Sequence, residues 1–153
     1  MPISLRGGAT LFRTKRHSRE WAEVYARIAL ATPFLSGVAD RFGLWGSNGS
    51  WKNFSGFERY AAQVNSFLPL SVIPFIAWTA TIAELVFGVG LLFGFRTRLM
   101  ALGSAVLLAL FATAMAISFG IKSPLDYSVF SASAAALLLW KYSPPRETSI
   151  DGA

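Results

Sequence analysis

Apolar positions in this chain come in long blocks, and short polar or basic segments separate them. The cleanest block runs from Leu99 to Ile121 without a charged residue. About 20 consecutive apolar residues cross a bilayer as a helix, so this block predicts a span over about residues 99–120. A second block, about 72–95, carries one charge, Glu84, near its midpoint and stops at Arg96-Thr97-Arg98. Another, about 125–142, stops at Lys141 and Pro144-Pro145. Ser123-Pro124-Leu125-Asp126 before it has the order of a helix start, with Ser as N-cap and Pro at the first helical position. The first block, about 21–42, is the least apolar, with Glu23 and Arg27 near its start and Asp40 and Arg41 at its end. Charges at both ends can reach headgroups, so it also reads as a span, with a kink expected at Pro33. The fold expected is all-α: an integral membrane four-helix bundle.

Residues 43–71 change character. Gly43, Gly46, Gly49 and Gly56, with Ser47, Asn48, Ser50 and Asn53, mark a loop. Phe57, Tyr60, Ala61, Val64 and Phe67-Leu68 then recur at helical spacing, with Glu58, Arg59, Gln63 and Asn65 between them. This predicts a short amphipathic helix on the outer membrane surface, ended by Pro69. A re-entrant loop packed on the bundle is the other reading.

Composition sharpens the class. Hydrophobic residues make up 54% of the 153 residues and charged ones 14%, with thirteen Phe and five Trp. A soluble domain is nearer about 25% charged. A cytosolic globular enzyme, a disordered tail and a nucleic-acid-binding domain are poor fits. The net charge of +6 sits in short segments between the apolar blocks. With no cysteine, the chain has no disulfide, no thiol redox chemistry and no thiolate metal site. Its one histidine, His17, lies in a basic segment, so neither a metal site nor a haem built by this chain alone is expected. Residues 1–20 read as a basic tail, either lying on the cytoplasmic leaflet or solvated, and residues 143–153 as a short second tail. No apolar stretch precedes Trp21, so the first block suits a retained helix rather than a cleaved signal peptide.

Four spans put both termini and the 96–98 turn on one side. That side carries Arg6, Arg13, Lys15, Arg16, Arg19, Arg96, Arg98, Lys141 and Arg146, against Arg41, Lys52, Arg59 and Lys122 on the other. The positive-inside rule then places both termini in the cytoplasm of a bacterial inner-membrane protein. Small residues supply the helix contacts: Gly88, Gly90 and Gly94 in the second span, Gly103, Ala109, Ala112 and Ala116 in the third, and the Ser/Ala-rich stretch 131–135 in the fourth. Gly90-Leu-Leu-Phe-Gly94 is a GxxxG sequence, a pattern that also serves homodimers.

Glu84 is the residue that needs explaining. A carboxylate at mid-bilayer is costly unless it is protonated, paired or facing water. Thr81, Glu84 and Gly88 share a helix face. Arg27, roughly 9 Å inside the first span at 1.5 Å per residue, is the expected partner of Glu84, roughly 16 Å from the same boundary. The pair reads either as a polar ligand pocket or as a fixed structural tie. Trp78, a few residues inside the second span, could line an apolar pocket there. Asp40, Arg41, Lys122 and Asp126 form a second polar cluster on the outer side. Within it, Asp126 is expected to cap a helix and Asp40 to pair with Arg41 or Lys122.

Taken in order, these pieces resemble the DoxX family of small four-helix bacterial membrane proteins, over roughly residues 24–141. They are Arg27-Ile-Ala-Leu30, Phe34-Leu-Ser-Gly37, Asp40-Arg-Phe-Gly43, the stretch from Glu84 to Gly94, Arg96-Thr-Arg98 and Lys122-Ser-Pro-Leu-Asp-Tyr-Ser128. The resemblance implies an inner-membrane protein tied to redox chemistry, since some relatives are associated with thiosulfate:quinone oxidoreductase or with oxidative-stress complexes. Without cysteines, a dithiol relay does not carry over. The expectation is a membrane subunit or accessory of a redox system, holding a quinone-like or other lipophilic ligand near Arg27 and Glu84, with a soluble or membrane redox subunit as partner. A non-catalytic scaffold for a soluble partner and a small proton-coupled transporter are the alternatives.

Overall fold

The computed structural model describes the backbone of residues 7–143 and the side chains of residues 20–143. Among the described residues every regular element is helical: α1 (Gly7–Arg41), α2 (Phe54–Val64), α3 (Ile73–Phe93), α4 (Thr97–Phe119), α5 (Lys122–Asp126) and α6 (Val129–Tyr142). Residues 143–153, expected as a tail, lie beyond the described residues except for Ser143. The helix of α1 starts well before Trp21, at Gly7, and Pro33 lies inside it.

Local chemistry explains the boundaries. Pro74 stands in the first turn of α3, where a missing N–H is harmless. The helix ends at Gly94, whose φ of 69° allows the Phe95 amide to reach back to the Gly90 carbonyl at 2.8 Å. Asn53 caps α2 by accepting from the Gly56 amide at 2.8 Å. The region expected as one fourth span is divided into α5 and α6 by a turn at Tyr127–Ser128. Ser123 is not the N-cap: α5 starts after Ile121 and has no side-chain cap.

The helices α3, extended by a helical turn from Leu70, and α4 are each long and apolar enough to cross a membrane. Both expose large apolar side chains, among them Phe75, Ile82, Leu85 and Phe93 on α3 and Leu99, Val106, Leu110 and Ile117 on α4. A helix that is apolar all round suits lipid on its outer face. Between the helices the contacts are small and close. α1 packs along α3, α4 along α6, and α3 with α4 joins the two pairs. The shared core is Leu30 and Ala31 of α1, Leu91 of α3, Met100, Ala101 and Ala105 of α4, and Ala136 and Leu139 of α6. A Cβ on Gly88 would stand 2.9 Å from the Leu35 side chain, and one on Gly90 2.6 Å from Met100. Ser133 donates across the α4–α6 contact to the Ala105 carbonyl at 2.8 Å. Gly88 and Gly90, the first glycine of the GxxxG sequence, are therefore used inside the chain.

The amphipathic α2 turns its apolar face to the protein. Phe57, Ala61 and Val64 are buried, and the first two pack with Ile73 and Ala77 of α3. Ser118 at the end of α4 donates to the Val64 carbonyl at 2.7 Å. One end of the molecule thus gathers the finish of α1, all of α2, the start of α3, the finish of α4, and α5. The other end holds the α3–α4 turn, where Ser143 donates to Glu23 at 3.1 Å.

Candidate functional site

Arg41, the last residue of α1, turns into the protein instead of reaching the membrane surface. It is 3% exposed, and Glu84 is 4% exposed. Arg41 Nη1 donates to Thr81 Oγ1 at 2.8 Å and Nη2 to Glu84 Oε1 at 2.8 Å. The second carboxylate oxygen is also 2.8 Å from Nη2. Thr81 spends its proton on the Ala77 carbonyl at 2.7 Å, which leaves its oxygen free to accept from Arg41. The guanidinium carbon lies 3.6 Å from the centre of the Phe57 ring and 5.5 Å from that of Trp51. The aromatic face of α2 and its preceding loop thus covers an ion pair made by α1 and α3. A buried pair of this kind contributes little net stability, but removing one partner costs about 3–5 kcal/mol because the other charge is stranded.

Gly37, one turn before Arg41, leaves space at this pair. A Cβ built there would stand 3.5 Å from Glu84 Oε2 and 3.9 Å from Arg41 Nη2, ordinary contact distances. Gly37 also lines a pocket of about 260 Å³ with Ser36, Asp40, Trp45, Trp51 and the 48–50 turn. Trp45 donates its indole N–H to the Ser36 carbonyl at 3.2 Å, which folds the loop back over α1. Asp40 Oδ2 accepts from the amides of Ser50 at 2.9 Å and Trp51 at 3.3 Å. Its Oδ1 is buried without a hydrogen-bond partner. A Cβ on Gly49 would come within 2.2 Å of that oxygen, so the turn closes over the carboxylate only as glycine.

The structure keeps Glu84 and Thr81 together and changes the arginine. The expected Arg27–Glu84 pair does not form. Arg27 donates through Nε to the Leu91 carbonyl at 2.9 Å and through Nη2 to the Leu92 carbonyl at 3.1 Å. These carbonyls lie in the last turn of α3, where acceptors lack helical partners and the helix dipole favours a cation. Gly94 makes room, since a Cβ there would meet the guanidinium at 2.5 Å. Trp78 lies apart from the ion pair. It stacks on Phe54 with centroids 4.3 Å apart, near Phe42, and is half-exposed.

The outer cluster is also redistributed. Asp40 pairs with neither Arg41 nor Lys122 but holds the 50–51 backbone. Asp126 forms an exposed ion pair with Lys122, one turn away. Asp126, not Asp40, takes Lys122 as its partner, and it caps neither α5 nor α6. Sequence reasoning missed Arg41 as the partner because a basic residue at the end of a span ordinarily reaches for headgroups. The available signal was Gly37, Trp51 and Phe57, a small residue and two aromatics that can admit and cover a guanidinium. Among the described residues, no group of three His, Cys, Asp or Glu side chains gathers to hold a metal ion.

No curated protein and no solved structure matches the chain. The family model described as DoxX matches residues 22–120, from near the middle of α1 through the end of α4. That stretch contains Arg27, Asp40, Arg41, Thr81 and Glu84 and stops before α5 and α6. Matched over well over half its length, and carrying two helices fit to cross a bilayer, this chain belongs to the DoxX family.

Proposed function

We propose that the protein is a four-span inner-membrane component of a redox system, with both termini in the cytoplasm, that holds the polar head of a quinone-like lipophilic ligand beside the Arg41–Glu84 pair. The observation that carries this reading is a buried ion pair whose carboxylate adjoins Gly37, a residue that also lines a pocket walled by Trp45 and Trp51. Flat indole walls suit a flat ring, and ionisable groups within a membrane domain mark functional sites more often than not. Four spans are supported by α1 and α6 packing alongside the two longest apolar helices, and by the uneven distribution of Lys and Arg. The ligand would supply electron-carrier chemistry. Electrons would come from a partner subunit, since the chain brings no redox-active side-chain set of its own. Within the chain, Glu84 would hold a proton, Arg41 would keep its carboxylate oriented, and Asp40 would fix the turn bearing Trp51.

Equilibrium binding of a short-chain quinone to the purified protein in mild detergent tests this. Wild-type protein and Trp78→Ala are expected to bind alike. Glu84→Gln and Arg41→Met are expected to bind at least about tenfold more weakly, the loss of roughly one charge-assisted hydrogen bond. Absence of binding in the wild type, or equal binding in all four proteins, would remove the ligand from the account.

A further inference from the structure

The surroundings of Glu84 are unequal toward the two ends of the molecule. Toward the end carrying α2 and α5, Gly37 touches both the pocket, which it lines, and the buried carboxylate: a Cβ on it would stand 3.5 Å from Glu84 Oε2, with the Trp51 ring at 4.0 Å. Toward the other end the path is apolar and closed. Gly88 is packed against Leu35 and Phe34, and below them Ala31 and Leu91 are fully buried.

We propose that the pocket is a water-filled vestibule connecting Glu84 to the membrane face that bears α2 and α5, and to that face alone. The cavity of about 260 Å³ is roomy for water, and its lining is polar on several sides through Ser36, Asp40, Asn48 and Ser50. A carboxylate deep in a span is tolerated where it borders a hydrated cavity. The groups around Glu84 make this the route of exchange. α1 contributes Arg41 on the carboxylate and Asp40 on the vestibule wall, and α3 contributes the Thr81 hydroxyl. α2 contributes Phe57 over the guanidinium, with Tyr60 behind it against Trp51. The charged side chains of α4 and α6, Arg98 and Lys141, belong to the far end, where Arg98 lies over Trp140. Glu84 therefore exchanges its proton with one compartment and is insulated from the other. The inference rests on the spanning arrangement proposed above and on no ligand.

The chain has no cysteine, so single thiols can be placed without background. Sealed vesicles holding one variant each are treated from one side with a membrane-impermeant methanethiosulfonate. Tyr127→Cys marks the α5 face and Phe95→Cys the opposite face, both sites being exposed. Gly37→Cys and Ser36→Cys are expected to react only from the face that labels Tyr127→Cys, and Ala31→Cys from neither. Reaction of both vestibule thiols from the Phe95 face overturns the proposal. So does failure of both to react while they elute like the parent protein. Markers that react from a common face would instead refute the spanning arrangement. A second measurement ties the vestibule to its end point. A thiol at position 37 lies beside the Glu84 carboxylate, which disfavours the thiolate. Adding Glu84→Gln is expected to speed modification of Gly37→Cys at neutral pH about tenfold, one unit of thiol pKa. An unchanged pH profile would show that the vestibule does not reach Glu84.

Discussion

At the scale of single residues, two arginines of α1 are distinguished by what they meet. Arg27 finds carbonyls at the end of α3, and Arg41 finds a carboxylate and a hydroxyl inside it. Arg41→Met or Glu84→Gln alone is expected to lower stability by about 3–5 kcal/mol, since each strands a buried charge or polar partner. Replacing both with Met should cost less than the two single changes together, measured by thermal unfolding in detergent. Asp40 and Gly49 form a second coupled pair. Gly49→Ala would drive a methyl into Asp40 Oδ1, and in an Asp40→Ala background the same change should cost much less. Tyr60 offers a pH handle outside the spans. Burial, with Tyr127 adding to it, pushes its hydroxyl above the ordinary tyrosine range. The fold favours the protonated phenol, so its contribution is intact below about pH 10 and is lost as pH rises through the raised value. Absorbance titration of the wild type against Tyr60→Phe should show one phenol that ionises late. Glu84 was legible as a buried group in need of a partner, with Thr81 beside it, because a lone carboxylate in an apolar block has few explanations. Its partner was not, because rotamer direction decides whether a terminal arginine reaches water or turns inward, and spacing is silent on direction.

Elements were easier to read where apolar length alone decided them. The second and third blocks became α3 and α4 within a few residues, because nothing in either interrupts the helix. α2 was legible from its period, but its contact was not. The same apolar stripe can lie on lipid or on protein, and here Ile73 and Ala77 of α3 take it. The division of the last block into α5 and α6 was hidden, since Ser128 adopts a positive φ that only a glycine would have advertised. The close contacts of α3 yield a prediction at this scale. Gly88→Leu should push α1 from α3 and cost about 1–3 kcal/mol or more by overpacking. Gly94→Ala should both strain the positive φ and evict the Arg27 guanidinium. Adding Arg27→Ala is expected to relieve the second effect and leave the first, seen as a partial recovery of Tm.

For the whole molecule, the fold reads as two helix pairs joined by small residues, with polar chemistry concentrated at one end. As a DoxX-family membrane protein with apolar faces turned outward, it is expected to stay in the membrane pellet through high salt and alkaline carbonate and to leave it only with detergent. Release by carbonate would contradict the embedding of α3 and α4. The arginines of α1 have a mechanical meaning beyond their separate contacts. They are fourteen residues apart in sequence, roughly 21 Å of helix, and each bolts α1 to the same neighbour. Two rivets at that spacing leave α1 and α3 no freedom to slide or pivot against each other. Whatever rocking the molecule undergoes must run along the alanine-lined seam with α4 and α6, so the pocket beside Gly37 travels as part of one rigid half.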